Sequence, residues 1–330
     1  MKRIAWMMSA LVMTAAATPA RAAVQDLEPA GDAPPAALQA PAVEELKEIV
    51  ITALEPRYVS PTRRDRIGRI WAPVKINDKG PFRLVLDTGA SHSAIIEPVA
   101  DALGIDLGSS QQVRLRGVTG TAIVPLIAAD KLTVGDLELR NVRMPIVVNA
   151  LGGAQGVLGT EGFEDKRVLI DFRNDLILIN HSNGDRASNG MITVPFVREK
   201  GLLIVSALIG GVPSRAIIDT GGQASIGNVA LRNLLLRRRS QAKSSNDTIT
   251  GSTDDSQIGE GYPAPLIELA EIQVQGSHIT FGDMSIFEHW GMTTEPAILL
   301  GMDTLGLLDT LIIDFRRQEL QIRLWTKRRS

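Results

Sequence analysis

The chain has 330 residues, of which 44% are hydrophobic and 4% aromatic, so it is long enough for one or two cores filled mainly by aliphatic side chains. Its formal net charge of -2 gives no broad basic surface, and we therefore expect no nucleic acid as a partner. It contains no cysteine, which excludes disulfides, and the spacing of its histidines does not suggest a metal site.

The first residues predict an exported protein. Lys2 and Arg3 precede a mostly apolar run at residues 4–17, and residues 20–22 have the small-x-small form of a signal peptidase site. We interpret residues 1–22 as a cleavable signal peptide, after whose removal no stable membrane span is expected. An uncleaved anchor is the alternative, although a span needs about 20 apolar residues.

The next segment, residues 23–66, precedes the repeated part of the chain. Its Ala- and Pro-rich residues 23–41 predict a disordered linker. Residues 43–54 have helical spacing with a charged face and predict a short helix. This helix either packs on the following domain or belongs to a pro-segment that occupies or braces a cleft until it is removed.

The triplet Asp-Thr-Gly occurs twice, at residues 87–89 and 219–221, each time after an apolar, strand-like run. A single copy is ordinary turn chemistry, because Asp and Gly favour turns and the Thr hydroxyl can bond nearby backbone. The surroundings of the two copies also match, and this match predicts an internal duplication.

The duplication has the same landmarks in the same order in both halves. They are a serine (Ser93, Ser225), a helix-like stretch (98–103, 229–236), a glycine-bearing polar turn (116–120, 250–253), a strand pair (131–148, 271–287), an apolar-apolar-Gly segment (157–159, 299–301) and a closing strand (169–173, 312–316). Short aliphatic runs bounded by Gly, Asn and Asp indicate β-rich lobes. We place these lobes at residues 67–183 and 190–326, with a polar linker between them.

This arrangement resembles the aspartic peptidases, and more closely the retropepsin-like branch found in bacterial envelope proteins, with two lobes fused on one chain. The resemblance covers roughly residues 69–324. It implies a mostly β, bilobal acid-protease fold with two β-barrel-like lobes related by a pseudo-two-fold axis and a short helix in each lobe. Together with the signal peptide, it also implies the periplasm of a Gram-negative bacterium as the location.

The resemblance also assigns roles to individual residues. It implies catalysis by Asp87 and Asp219, with support of the active loops from Thr88, Gly89, Thr220 and Gly221. It implies flap and substrate-binding roles for Gly117, Val118, Thr119, Gly251 and Ser252, and a supporting role for Gly159 and Gly301. We expect no metal and no cofactor, and a protein or peptide substrate as the partner; the oligomeric state stays open.

The residue types explain the chemistry. Two carboxyl groups held close together cannot both ionise cheaply, so they share a proton and titrate as a pair. The ionised member can draw a proton from a water while the protonated member hydrogen-bonds the scissile carbonyl. We therefore predict an aspartic endopeptidase that cuts periplasmic or envelope proteins. The alternatives are a non-catalytic peptide-binding module of the same fold, and a zymogen that needs processing or a partner.

Two departures from the pepsin pattern lead to further expectations. Pepsin-like enzymes carry Ser or Thr after the triplet, whereas this chain has Ala90 and Gly222, which offer no side-chain donor to the carboxylates. We therefore predict a less acidic pH optimum than that of pepsins. The first flap has no tyrosine, so Val118 and Thr119 are expected to cover the substrate from there.

Other candidate residues are weaker. His92 follows the first triplet closely, but a lone histidine there is expected to be structural or on the surface. Ser91, Ser93 and Ser225 are not in a Gly-x-Ser-x-Gly elbow, so we do not expect a serine nucleophile.

Overall fold

The structure is a computed structural model of the chain, and it describes residues 49–50, 71–149, 151–174, 176–238, 244–250, 253 and 256–324. The chain divides into two units, Met1–Glu44 and Glu45–Ser330, and all described residues belong to the second. The expected signal peptide and Ala/Pro-rich linker therefore lie outside the described residues, as do Gly251 and Ser252 of the expected second flap.

The first repeat is built around a closed barrel of six strands. Its elements are β1 (Ile49–Val50), β2 (Trp71–Ile76), β3 (Lys79–Leu86), β4 (Ala94–Ile96), α1 (Glu97–Leu103), β5 (Gln111–Arg116), β6 (Thr121–Val134), β7 (Leu137–Val147) and β8 (Gly156–Leu158). The barrel runs in the order β6, β2, β3, β8, β4, β7, and β7 pairs with β6 to close it. Strand β5 extends the sheet from β6.

Local sequence explains how this barrel forms. Along β2, buried Ala72, Val74 and Ile76 alternate with more exposed neighbours, which is the period of a strand with one face in a core. The turn from β2 to β3 consists of Asn77 and Asp78, whose φ angles are 48° and 61°. Asn and Asp tolerate this left-handed region better than other side chains, so the two residues favour a tight hairpin.

The strand β1 corrects one expectation. Residues 43–54 were predicted to be helical, but Ile49 and Val50 form a strand that pairs in parallel with Leu115 and Arg116 of β5. Both are β-branched residues, which favour an extended backbone, and the open edge of β5 supplies hydrogen-bonding partners. The other residues of the expected helix lie outside the described part of the chain.

The second repeat has the same strand connections with more interruptions. Its elements are β12 (Val197–Glu199), β13 (Leu202–Ile209), β14 (Val212–Ile218), β15 (Ser225–Gly227), α2 (Val229–Arg238), β16 (Ser245–Thr250), β17 (Ser256–Pro263), β18 (Ile267–Leu269), β19 (Ile272–Val274), β20 (His278–Phe281), α3 (Ser285–Trp290), β21 (Ala297–Leu300) and α4 (Met302–Leu305). β21 pairs in parallel with β14 and antiparallel to β15, as β8 does with β3 and β4. The long hairpin β6–β7 is here divided into the pairs β17–β20 and β18–β19.

A third sheet joins the two repeats. It contains β9 (Lys166–Asp171), β10 (Leu176–His181), β11 (Ile192–Pro195), β22 (Leu308–Asp314) and β23 (Glu319–Leu324), all antiparallel, in the order β10, β9, β22, β23, β11. The closing strands of the two repeats, β9 and β22, pair directly, with Leu169 opposite Ile312. Beneath the sheet, the ring of Phe315 packs against Phe163 and Phe196, with centroids 5.3 and 6.2 Å apart.

The protein is therefore mostly β, as the sequence predicts for a β-rich aspartic protease fold. Helices α1 and α2 occupy the two stretches with predicted helical character. The second repeat contains two further short helices, α3 and α4, beside the expected one. Among the described residues, no helix is long and apolar enough to cross a membrane.

Candidate active site

Two strands, one from each repeat, end at a buried aspartate. β3 ends at Leu86, and the next backbone N–H, that of Asp87, donates a 2.9 Å hydrogen bond to the carbonyl of Leu158. In the second repeat, the N–H of Asp219 donates a 3.0 Å bond to the carbonyl of Leu300. Both aspartates are fully buried. The parallel pairs β3–β8 and β14–β21 thus fix the position at which each active loop begins.

The threonines that follow the aspartates bind each other across the two loops. The N–H of Thr88 donates to Oγ1 of Thr220 at 3.2 Å, and the N–H of Thr220 donates to Oγ1 of Thr88 at 3.1 Å. Each hydroxyl also donates to the opposite repeat, Thr88 to the carbonyl of Ile218 at 2.5 Å and Thr220 to the carbonyl of Leu86 at 2.7 Å. These buried, reciprocal bonds hold the two loops in register.

Backbone amides of the loops donate to the carboxyl groups. The N–H of Gly89 donates to Oδ1 of Asp87 at 2.8 Å. Gly221 and Gly222 both donate to Oδ1 of Asp219, at 2.9 and 2.8 Å. The position after the second triplet, where pepsin-like enzymes carry a hydroxyl, therefore contributes its backbone N–H to the carboxyl group.

The second loop lies directly against the carboxyl group of the first. A Cβ built on Gly221 would overlap the carboxyl carbon of Asp87, and one built on Gly222 would lie 2.7 Å from Oδ2 of Asp219. The two carboxyl groups are close enough for the charge of Asp87 to raise the pKa of Asp219. The glycines of the second triplet region are thus required for the close approach of the two carboxyl groups.

The electrostatics of this pair favour a shared proton. Burial raises the pKa of Asp219 well above its ordinary value, and the charge of Asp87 raises it further. Hydrogen bonds from the N–H groups of Gly222 and Gly221 act in the opposite direction because they stabilise the carboxylate. The result is a carboxyl pair that retains a proton at a pH where an isolated aspartate has lost it.

The predicted first flap corresponds to the hairpin β5–β6, whose tip reaches the second repeat. The turn is closed by a 2.8 Å hydrogen bond from the N–H of Gly117 to the carbonyl of Gly120. Val118 is fully buried, and it packs in an apolar cluster whose other members all belong to the second repeat. The cluster's other members are Leu202, Ile204, Ile217, Ile226, Ile249, Met284, Ile286, Phe287, Trp290, Met292, Ala297 and Leu299.

Two side chains of the second repeat also hold the backbone of this flap tip. Ser285, at the start of α3, donates to the carbonyl of Val118 at 3.3 Å. Gln257, on β17, donates to the carbonyl of Thr119 at 3.2 Å. Thr119 itself is buried. The predicted flap residues Gly117, Val118 and Thr119 therefore lie in one closed turn that is fastened to the opposite half of the molecule.

The hairpin β16–β17 occupies the position of the second flap. Its strands pair as far as Thr250 and Ser256, and Gly251 and Ser252 lie beyond them, outside the described residues. Tyr262, on β17, donates to Glu260 at 2.7 Å and packs on the ring of Phe281, so it has a structural role.

The two apolar-apolar-Gly segments bind the far ends of the active loops. The N–H of Gly159 donates to Oγ of Ser93 at 3.1 Å, and the N–H of Gly301 donates to Oγ of Ser225 at the same distance. Both serines are fully buried. Their hydroxyl oxygens thus serve as structural acceptors in both repeats.

Sequence reasoning missed two acidic residues in the same segments. Glu161 accepts a 2.6 Å bond from the N–H of Ser93. Asp303 accepts bonds from the N–H and the hydroxyl of Ser225, at 3.0 and 2.6 Å. Each acid stands two residues after the glycine of its segment, and this repetition is the signal by which the sequence could have pointed to them.

The remaining candidates lie at the edge of the site or away from it. The ring Nδ1 of His92 lies 2.9 Å from Oγ of its neighbour Ser91. Within the described part of the chain, no group of three or more His, Cys, Asp or Glu side chains is placed to hold a metal ion.

Comparison with known proteins supports an aspartic protease relationship. A family model described as aspartyl protease matches residues 72–161, which contain the first active loop, the first flap and Glu161. No curated protein matches the chain. The match lies within the first repeat, and the second repeat shares the strand connections described above.

Proposed function

We propose that this protein is an aspartic endopeptidase that hydrolyses internal peptide bonds with the pair Asp87 and Asp219. The observation that carries the proposal is the buried carboxyl pair, held together by the reciprocal bonds of Thr88 and Thr220. A module that only grips peptides needs no facing carboxyl groups, and burying two of them costs free energy.

The proposed mechanism uses one proton and one water. The ionised aspartate takes a proton from a water held between the two carboxyl groups while the protonated aspartate donates to the scissile carbonyl. The attacking oxygen and the carbonyl carbon form a tetrahedral intermediate, which breaks down when the leaving nitrogen is protonated by the pair. The raised pKa of Asp219 favours the singly protonated state in which this cycle begins.

Substrate entry in this proposal requires the first flap to move. Both aspartates are buried and the tip residue Val118 packs in the second repeat, so an extended peptide reaches the carboxyl pair only after the tip has withdrawn. Bound between the flap and the active loops, the peptide would add its backbone hydrogen bonds to the strand edges beside it.

This closed flap favours one alternative, a latent form that needs processing or a partner. The short strand β1 pairs with the last residues of β5, directly before the flap turn, so a segment upstream of Trp71 contacts the flap hairpin. Proteolysis upstream of Trp71, or a partner that displaces β1, would then activate the enzyme. We also propose export to the periplasm, with envelope proteins as substrates, on the basis of the predicted signal peptide.

A digestion experiment tests the proposed function. The chain without residues 1–22 is incubated with a mixture of denatured proteins between pH 3 and 8, and the cut sites are mapped by mass spectrometry. We expect internal cuts that disappear in Asp87→Asn. Equal cutting by wild type and Asp87→Asn would show a contaminating protease and defeat the proposal. Cutting that appears only after trimming of the segment before Trp71 would assign the latent form.

A further inference from the structure

Behind the two aspartates lies a second pair of acidic residues that the proposed mechanism does not use. In each repeat, the three residues that begin with the glycine of the apolar-apolar-Gly segment bind the active loop at several points. In the first repeat, the N–H of Gly159 binds Ser93, and both the N–H and the hydroxyl of Thr160 donate to the carbonyl of Ala90, at 3.0 and 3.2 Å. The third residue, Glu161, accepts a hydrogen bond from the N–H of Ser93.

The second repeat has the equivalent clamp. The N–H of Met302 donates to the carbonyl of Gly222 at 2.7 Å, and the N–H of Asp303 donates to the carbonyl of Gln223 at 2.9 Å. The side chain of Asp303 then binds Ser225. An acidic side chain therefore closes each active loop at its far end, in the same place in both repeats.

The two acids differ in how many of their carboxyl oxygens accept a hydrogen bond. Both carboxyl oxygens of Asp303 accept hydrogen bonds from Ser225. Glu161 uses Oε1 for the N–H of Ser93, whereas its Oε2 is sealed from solvent and has no hydrogen-bond partner among the described residues. An ionised carboxylate with one buried, unsatisfied oxygen is costly, and moving the side chain towards water relieves that cost only by releasing Ser93.

We propose that Glu161 is a positioning residue for Asp87, which holds the active loop in its catalytic geometry while it is protonated and loosens the loop when it ionises. This inference rests on the proposed function. Glu161 does not touch the carboxyl pair; it acts through Ser93 and the loop that begins at Asp87.

The surroundings of Glu161 are consistent with this role. Burial raises the pKa of Glu161 to about 7, and Glu164 adds a smaller repulsion. Beside it lie the backbone of His92 and, from β12, Arg198, whose guanidinium binds the carbonyl of Thr160 and the carboxylate of Glu164. Arg198 is thus engaged by Glu164, and within the described part of the chain Oε2 of Glu161 has no hydrogen-bond partner.

The test compares Glu161→Gln with wild type. Glutamine keeps the size and the acceptor for Ser93 but cannot ionise. We expect kcat/KM of the wild type to fall about tenfold per pH unit above a midpoint near 7, and the decline of Glu161→Gln to begin at least one pH unit higher, with KM unchanged. Glu164→Gln is the matched control, because it removes an exposed charge from the same turn.

A second readout does not depend on catalysis. The thermal midpoint of the wild type should fall between about pH 4.5 and 7 more steeply than that of Glu161→Gln, because in this range the carboxyl group of Glu161 is ionised in the unfolded chain but still protonated in the folded protein. Superimposed alkaline limbs of wild type and Glu161→Gln, or a loss of activity that is equal at every pH, would overturn the inference. No cleavage by wild type at any pH, even after the segment before Trp71 has been trimmed, would instead defeat the proposed function itself, and the positioning role with it.

Discussion

A buried carboxyl group destabilises the folded state when it ionises, and at the residue scale this cost decides how Asp219 behaves. Its pKa in the folded protein is raised, first by burial and then by the charge of Asp87. In the unfolded chain the pKa is near 3.9. The stability associated with its neutral form is therefore fully present below about pH 4 and is lost as the pH rises towards the folded pKa.

Replacing this residue should consequently separate activity from stability. We expect Asp219→Asn to abolish cleavage and to unfold at a higher temperature than wild type at pH 7, with little difference at pH 4. Calorimetry at the two pH values measures this. Lower stability of the variant at pH 7 would show that the ionised pair is a net stabiliser, contrary to our account.

Glycine is needed where the second loop meets the first carboxyl group. Gly221→Ala places a Cβ on the carboxyl carbon of Asp87, so the loop must move. We expect kcat/KM to fall by about 100-fold or more, because small misplacements of catalytic groups cost that much. Ala90→Gly, a change of one methyl group next to the first triplet, is the control and should stay within about fivefold of wild type; similar losses in both variants would contradict the steric argument.

In the proposed enzyme, the two loops also determine the pH optimum. No side-chain hydroxyl follows either triplet, since these positions are Ala90 and Gly222, but the N–H of Gly222 donates to Asp219. Burial outweighs this bond in setting the pKa of Asp219. We therefore predict that kcat/KM is highest at a less acidic pH than in pepsins, and a maximum below about pH 3.5 would contradict the prediction.

At the scale of elements, the first flap does more than cover a cleft, because its tip is packed into the second repeat. Its tip residue Val118 is buried in the second repeat, and Ser285 and Gln257 bind the tip carbonyls. Val118→Ala removes two buried methyl groups, worth about 1.5 kcal/mol, which should shift the closed-to-open ratio about tenfold.

Hydrogen exchange of residues 116–121 measures that shift. We expect faster exchange in Val118→Ala and a lower KM, because less free energy is needed to open the flap. Ile123→Ala is the matched control, since Ile123 lies on the same hairpin but is 61% exposed. If both variants exchange like wild type, the packing of Val118 does not hold the flap.

Several of these elements could be predicted from the sequence, and the reasons differ from one to the next. Helices α1 and α2 and the hairpin β6–β7 follow from local periodicity and glycine turns, which act over a few residues. The burial of Val118 could not be predicted, because it depends on α3, which comes from a distant part of the chain. β1 was missed because the edge of β5 overrides a weak helical pattern.

In the candidate site, too, some residues could be predicted from the sequence and others only from the fold. Asp87 and Asp219 were identifiable because their triplets repeat, whereas Glu161 carries no motif of its own and becomes notable only when the fold places it beside Ser93. The asymmetry between Glu161 and Asp303 depends on single hydrogen bonds, which sequence pattern does not resolve.

At the scale of the whole molecule, two features join the repeats: the third sheet, in which β9 pairs with β22, and the bonds between Thr88 and Thr220. The sheet fixes the pairing of the repeats, while the threonines hold together the two loops that carry the carboxyl groups. Stability and catalysis should therefore both depend on these threonines.

Thr88→Val tests this coupling. Valine has the shape of threonine but leaves the N–H of Thr220 and the carbonyl of Ile218 without their partner hydroxyl. We expect the free energy of unfolding to fall by roughly 2–4 kcal/mol and kcat to fall with it. Thr88→Ser retains the hydroxyl and should recover most of both losses in denaturant unfolding and in cleavage assays. Full activity in Thr88→Val would show that the loops keep their register without these bonds.

The most direct measurement of the central claim is kcat/KM for one peptide substrate with Asp87→Asn, Asp219→Asn and the double variant. If the two carboxyl groups act as one catalytic unit, each single change should cost about as much as both together, roughly 1000-fold or more. Losses that add independently, or a single variant that keeps substantial activity, would contradict the shared-proton mechanism.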